Sequence, residues 1–272
     1  MSRAPTSTPR ELADGKLLLD HPAPGVARLT ISNPAKRNAL DHPILDAMAA
    51  ALSGLDARCV IVTGANDMFS AGYDIGEISD GEFEQRAERL VAHPFTAAID
   101  ALEAYPYPTI AALGGHTIGG GLELALACDL RVCAADIRLG MPPAKLGLVY
   151  SHTGLRRFLD AIGAPRTREL FLLGRPVDAA TALGWGLVNR MVSAGELPGE
   201  ALAVARELAA HAPQAQRGNK RVIAALLAAR GELDERLSEE VLGLRRDSFA
   251  SQDMREGMRA FAEKRAPRWE DR

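Results

Sequence analysis

The chain has 272 residues, 47% hydrophobic and 25% charged, enough to bury a large core in one sizeable domain. A formal net charge of −3 offers no basic field to a polyanion, which argues against nucleic acid as partner. No apolar run is long enough to span a bilayer, and the start MSRAPTSTPRELADG has no apolar core of signal-peptide kind, so no membrane association is expected.

Cys59, Cys128 and Cys133 lie in or beside apolar runs without metal-type spacing to histidine, which predicts reduced core residues, no metal and a cytoplasmic protein. Residues 1–15 are expected to be a flexible N-terminal tail. Gly25 to Ile31 alternates as a strand does, and Asn33-Pro34 ends it with a turn. Lys36 and Arg37 then fall in a loop, and Asp41 is placed to cap a helix with Pro43 near its start. Ile44, Leu45, Met48, Leu52 and Leu55 come after it at helical spacing, and Arg58 to Thr63 reads as a short buried strand.

The loop GANDMFSAGYDIGEI comes next. Its Gly72-Tyr73-Asp74 is either a surface turn with Asp74 capping the segment after it or a place where a backbone N–H is presented to a ligand. A helical pattern from Asp80 to Ala104 is interrupted by Pro94, and Thr109 to Leu113 reads as a buried strand. Gly119, Gly120 and Gly121 lead into a helix over Leu122 to Cys128, apolar on every side except at Glu123. Two readings of this stretch stand. Either the glycines pack closely and Glu123 complements the helix dipole, or the helix start is an oxyanion site and Glu123 has a task.

Leu130 to Ala134 reads as a strand, followed by a turn-rich passage holding Tyr150 and His152, each a candidate polar group or a solvated side chain. Helical patterns run over Leu155 to Ile162, Arg166 to Leu173 and Asp178 to Leu183, the last with Asp178 as cap. Leu187 to Val192 reads as a final strand, and Pro198 to the end as almost all helix.

The segments FSAGYDI, GGGLELALACD, LGLVY, GLVNRMV and REGMRAFAEKRAP, in that order and spacing, closely resemble the crotonase family, which includes the enoyl-CoA hydratases and isomerases. The resemblance covers about Gly25 to Trp269. It implies an α/β fold, a crotonase-like spiral of β-β-α units over 16–197, with a C-terminal α-helical region over 198–272 that serves trimerisation. It also implies homotrimers or hexamers, acyl-CoA thioester substrates, and no cofactor beyond coenzyme A carried as part of the substrate. The family's oxyanion hole falls on the N–H groups of Tyr73 and Gly120, with Ala71, Asp74 and Ile75 in the same substrate-binding loop. Each such donor is worth ~10² to 10³ in rate. Lys36 and Arg37 match the loop along the CoA phosphates, and Phe261 and Lys264 match the tail that reaches CoA.

Hydratases of the family use two glutamates. The first matches Glu123, but Pro143 stands where the second is expected, and proline moves no proton. The segment PPAKLGLVY resembles instead the methylmalonyl-CoA decarboxylases of the family, which keep the first glutamate and carry a tyrosine matching Tyr150. Those relatives have a histidine where this chain has Tyr73. The alternatives are therefore a hydratase or isomerase, a decarboxylase of a malonyl-type acyl-CoA, or a non-catalytic acyl-CoA binding protein. RNA binding, found in a minority of the family, is disfavoured by the acidic balance.

Overall fold

The computed structural model describes residues 8–74, 94–230 and 235–270. The expected substrate residue Ile75 and the helical run from Asp80 to residue 93 lie outside them. Strands β1 (Arg10–Leu12), β2 (Leu17–Ala23) and β3 (Val26–Ile31) form an antiparallel start to a seven-stranded sheet. Beside them run β4 (Cys59–Gly64), β6 (Thr109–Leu113), β8 (Leu130–Ala134) and β11 (Arg190–Val192), all parallel, in the order β1-β2-β3-β4-β6-β8-β11. A four-stranded sheet of order β10-β9-β7-β5 is built from β5 (Met68–Ser70), β7 (His116–Ile118), β9 (Arg138–Gly140) and β10 (Val177–Asp178).

The chain winds between the two sheets. Each turn lays one strand in the large sheet, the next in the small sheet, and then a helix: β6-β7-α3 (Gly120–Ala127) and β8-β9-α4 (His152–Arg168) are two complete turns. This is the β-β-α spiral implied by the resemblance. Among the described residues the other α-helices are α1 (His42–Gly54), α2 (Thr96–Ala104), α5 (Ala179–Trp185), α6 (Leu197–Ala210), α7 (Pro213–Ala228), α8 (Glu235–Ala250) and α9 (Gln252–Ala262). None of the described helices is long and apolar enough to cross a membrane.

Local chemistry sets the element ends. Asp41 caps α1 by accepting from Ile44 N–H at 3.0 Å, and Asp178 caps α5 by accepting from Thr181 N–H at 2.8 Å, both as the sequence predicts. The parallel strands bury Val60, Val62, Ile110, Ala111, Val132 and Cys133, the near-continuous apolar runs of a sheet covered on both faces.

Several expectations are corrected. Within the expected tail over 1–15, Arg10–Leu12 is strand β1, because a left-handed turn at Ala13, Asp14 and Gly15 returns the chain onto β2. The glycine stretch after β6 holds β7 before the helix, so Gly114-Gly115 and Gly119 serve two separate turns. The last strand is only Arg190–Val192, since Leu187 and Val188 are buried outside the ladder. Helix α6 buries Leu197, Ala201, Val204, Ala205 and Ala209 against β4, β6 and β8 and so belongs with the core rather than with a separate region from 198. Helix α4 begins at His152 on a Ser151 cap, and Gly163, at φ +72°, breaks it before Pro165.

Candidate active site

Helix α3 is packed among α2, α4 and strands of both sheets, which explains why it is apolar almost all round. Its start is fixed by Gly119, whose φ of 56° and ψ of −128° favour glycine. Gly119 N–H donates to Gly140 C=O at 2.9 Å, and its own C=O accepts from Leu122 at 2.9 Å and Glu123 at 3.2 Å. Gly120 is the first helical residue, whose N–H has no intrahelical acceptor by position.

The 71–74 loop lies against this helix start. Leu40 N–H donates to Gly72 C=O at 2.7 Å and Asp74 N–H donates to Leu40 C=O at 3.1 Å, so the extended backbone turns Tyr73 N–H away from Leu40. A Cβ on Gly72, at φ +95°, would stand 3.2 Å from Gly120 N. The Tyr73 ring covers Gly120, where an added Cβ would meet it at 3.0 Å, and packs edge-on to Phe95 at 4.6 Å. The two predicted hole residues are thus neighbours.

The Lys36–Arg37 loop is joined to the same place. Ala71 N–H donates to Arg37 C=O at 3.1 Å, and Lys36 Nζ pairs with Asp74 Oδ2 at 2.7 Å. Buried Asn38 clamps the loop, donating to the carbonyls of Ala65 and Met68 at 2.7 Å each and accepting from Asn33 N–H at 2.9 Å.

Glu123 is only 3% exposed. Tyr150 Oη donates to its Oε2, and Arg157 Nη1 donates to its Oε1 at 3.2 Å. Arg157 in turn grips Glu103 of α2 through two bonds of 2.6 and 2.9 Å. Burial works to lower the Arg157 pKa, but hydrogen bonds and charge from Glu103, with the Glu123 charge, outweigh it and raise the value above the ordinary one. The Tyr150 ring packs edge-on to Phe171 at 5.5 Å, and Phe171 to Phe158 at 4.9 Å, which holds the phenol in place. Gly154 leaves the room for this pair: a Cβ there would stand 2.6 Å from Tyr150 Cε1 and 2.8 Å from Glu123 Oε1.

The structure therefore unites Tyr73 with Gly120, Lys36 with Asp74, and Glu123 with Tyr150. Pro143 is buried at the start of a 3-10 turn, Pro143–Leu146, and takes no part in the Glu123 hydrogen bonds. Phe261, 74% exposed, and Lys264 lie at the end of α9, outside the hydrogen bonds of the Glu123 cluster. His152 starts α4 as a partly exposed helical residue. Among the described residues no group of three or more His, Cys, Asp or Glu side chains is placed to hold a metal ion. Sequence reasoning missed Arg157, Gly154 and Asn38. The available signal was helical spacing: Gly154, Arg157 and Phe158 share one face, which puts a cation on an apolar side.

The model of the enoyl-CoA hydratase/isomerase family matches residues 22–272. A probable enoyl-CoA hydratase of Mycobacterium bovis is 37% identical over 254 residues, 91% of this chain and 95% of its own. A carnitinyl-CoA dehydratase of Salmonella typhi is 34% identical over 253 residues, 91% of this chain and 95% of its own. Among solved structures, a methylmalonyl-CoA decarboxylase in complex with 2-nitronate-propionyl-CoA superposes with a TM-score of 0.86 at 28% identity, covering 94% of this chain and 99% of that one.

Proposed function

Since the chain belongs to the enoyl-CoA hydratase/isomerase family, the crotonases, we propose that it acts on an acyl-CoA thioester whose oxygen, on becoming an enolate, is held by Tyr73 N–H and Gly120 N–H. Two donors on rigid backbone cost no reorganisation as charge develops. Coenzyme A enters as part of the substrate, with no resident cofactor. Lys36, Arg37, Ala71 and Asp74 line its approach, and Phe261 and Lys264 reach it from the tail.

Within that class the reading supported best is decarboxylation of a malonyl-type ester such as methylmalonyl-CoA. One observation carries it: the buried Glu123 carboxylate is engaged by the Tyr150 hydroxyl, and Pro143 stands where a second acid is expected. In this reaction the bond from the α-carbon to the substrate carboxylate breaks and carbon dioxide leaves. The bonding pair passes into the enolate, whose negative charge rests on the thioester oxygen. Tyr150 then gives its proton to the α-carbon, the thioester carbonyl re-forms, and water returns a proton to Tyr150. No base is required to begin, so Pro143 in place of the second carboxylate costs nothing. Glu123 orients the phenol and serves as relay for the returning proton.

A second reading, hydration or isomerisation through Glu123 with proline at position 143, is favoured by the 37% identity to a probable enoyl-CoA hydratase. We infer a homotrimer or a hexamer of two trimers, a reading supported by the exposed Val222, Ile223 and Leu226 of α7.

The test is to incubate the protein separately with crotonyl-CoA, a 3-enoyl-CoA and methylmalonyl-CoA and follow the products by mass. Loss of carbon dioxide with slow or absent hydration is expected. Fast, stereospecific hydration of crotonyl-CoA would overturn the decarboxylase reading. Binding of CoA esters without turnover of any would make the protein a non-catalytic acyl-CoA binder.

A further inference from the structure

We propose that Arg157 is a positioning residue: clamped to Glu103 at the surface and Glu123 in the interior, it fixes the Glu123–Tyr150 pair and balances the charge that arises when Tyr150 releases its proton. The inference rests on the reading of Tyr150 as proton donor, and it assigns a task to a residue that touches no substrate.

The geometry forms a graded chain of charge. The side chains of Glu103, Arg157 and Glu123 are 43%, 17% and 4% exposed, so the guanidinium bridges solvent and interior. Its bidentate grip on Glu103 fixes its orientation, and one nitrogen is left to meet Glu123 Oε1 while Tyr150 takes Oε2. Tyr150 and Arg157 thus hold the two carboxylate oxygens from opposite ends, and Gly154, three residues before Arg157 on α4, supplies the gap in which they do so. Once Tyr150 becomes a phenolate, two negative charges stand side by side in a mostly buried place. A like charge disfavours an anion, and a cation within a few ångströms favours it. Among the described residues, Arg157 is the cation paired with Glu123. From α2 come Glu103 and Asp100, whose carboxyl is pushed up first by burial and then by Glu103. From the small sheet, His116 of β7 bonds to Arg138 N–H and Ser70 of β5 to Gly72 N–H. Arg131 of β8 is bound to the carbonyls of Cys128 and Leu187 at the other end of α3.

The test uses Arg157→Gln and Arg157→Lys, each checked for folding by circular dichroism. Tyr150, one of four tyrosines, is titrated by its phenolate absorbance as the difference between each protein and the same protein carrying Tyr150→Phe. In Arg157→Gln the Tyr150 titration should move upward by about one pH unit or more, because the cation favouring the phenolate is gone. On whichever ester the wild type turns over, kcat should fall about tenfold or more with KM nearly unchanged. Arg157→Lys should restore much of the titration shift and less of kcat, since lysine keeps the charge but not the fork. An unmoved Tyr150 titration in folded Arg157→Gln, or an unchanged kcat, overturns the proposal. If Arg157→Gln does not fold, Glu103→Gln loosens the clamp from its exposed end, and a kcat equal to wild type overturns it equally. Should the wild type turn over no ester, the reaction proposed above fails, while the Tyr150 titration still decides whether Arg157 governs the pair.

Discussion

Tyr150 Oη donates its hydrogen bond to Glu123 Oε2 across 27 residues of sequence, and Gly154 is the residue whose missing side chain lets them meet. A methyl group at Gly154 would overlap both partners, the tyrosine ring at 2.6 Å and the carboxylate at 2.8 Å. Both are held from behind, Tyr150 by Phe171 and Glu123 by Arg157, so neither yields without losing its geometry. Gly154→Ala should therefore cost about 10² or more in kcat/KM, the scale of a misplacement of about 1 Å, and about 1–3 kcal/mol of stability from overpacking. Steady-state kinetics beside a thermal melt checks this. Wild-type kinetics in a folded Gly154→Ala protein would remove the pair from the mechanism.

Replacing Glu123 by glutamine keeps the shape and removes the charge. Tyr150 can still donate to the amide oxygen, but the amide NH2 then meets the Arg157 guanidinium donor to donor, and the charge that Arg157 paired with is gone. Turnover should fall by about 10² to 10⁴, the usual worth of acid–base help, while the melting temperature moves far less. The opposite pattern, intact turnover with a loss of up to ~1 kcal/mol, would return Glu123 to service of the helix dipole.

Gly120→Ala and Gly120→Pro separate two effects at the helix start. Alanine keeps the N–H and presses a methyl to 3.0 Å from the Tyr73 ring, whose edge can give by a few tenths of an ångström. Proline removes the donor itself and fixes φ, a conformation suited to the first helical position. Turnover should be mildly lowered by alanine and reduced a further ~10² to 10³ by proline, with CoA-ester affinity measured in parallel. Equal activity of the two folded variants would show that the Gly120 N–H holds no developing charge.

Legibility in the sequence depends on the length of each element and on how near its partners lie. The buried helix α3 was readable because eight residues with one charge leave few alternatives, and Glu123 is buried as that pattern demands. Asp41 and Asp178 were readable as caps because the capping oxygen lies next in sequence to the helix it serves. The small sheet was not: Met68–Ser70, His116–Ile118 and Arg138–Gly140 are three residues each, too short to show a period of two. Asn38 and Arg157 escaped because their partners, Met68 and Glu123, are 30 and 34 residues away and only the fold brings them near. The proposed hole residues Tyr73 and Gly120 are legible only through family resemblance, and their adjacency is a property of two loops that no local pattern encodes.

The three cysteines predict how stability responds to alkali. Burial pushes the Cys59 and Cys128 thiols up to about 12 and the Cys133 thiol to about 11, against an ordinary value of 9.0, and nearby Asp129 adds to the first two. A raised folded value means that the native thiol keeps its proton where the unfolded chain has lost it. Between about pH 9 and 11 the unfolded state thus binds fewer protons, and stability must fall as pH rises; below pH 9 both states are protonated and the contribution is fully present. Each thiol titrating only when unfolded contributes at most about 1.4 kcal/mol per pH unit, so three together give a slope of order several kcal/mol. Denaturant midpoints at pH 8 and pH 10.5 should therefore differ strongly in the wild type. In Cys59→Ala and Cys133→Ala the midpoint at pH 8 should be lower, through lost packing, but the further drop to pH 10.5 smaller. Tyr105, whose phenol is raised first by burial and also by the charge of Cys59, cancels in the Cys133→Ala comparison, which is therefore the cleaner of the two. Parallel declines in wild type and variants would mean that these thiols do not carry the alkaline instability, and that some other buried group must.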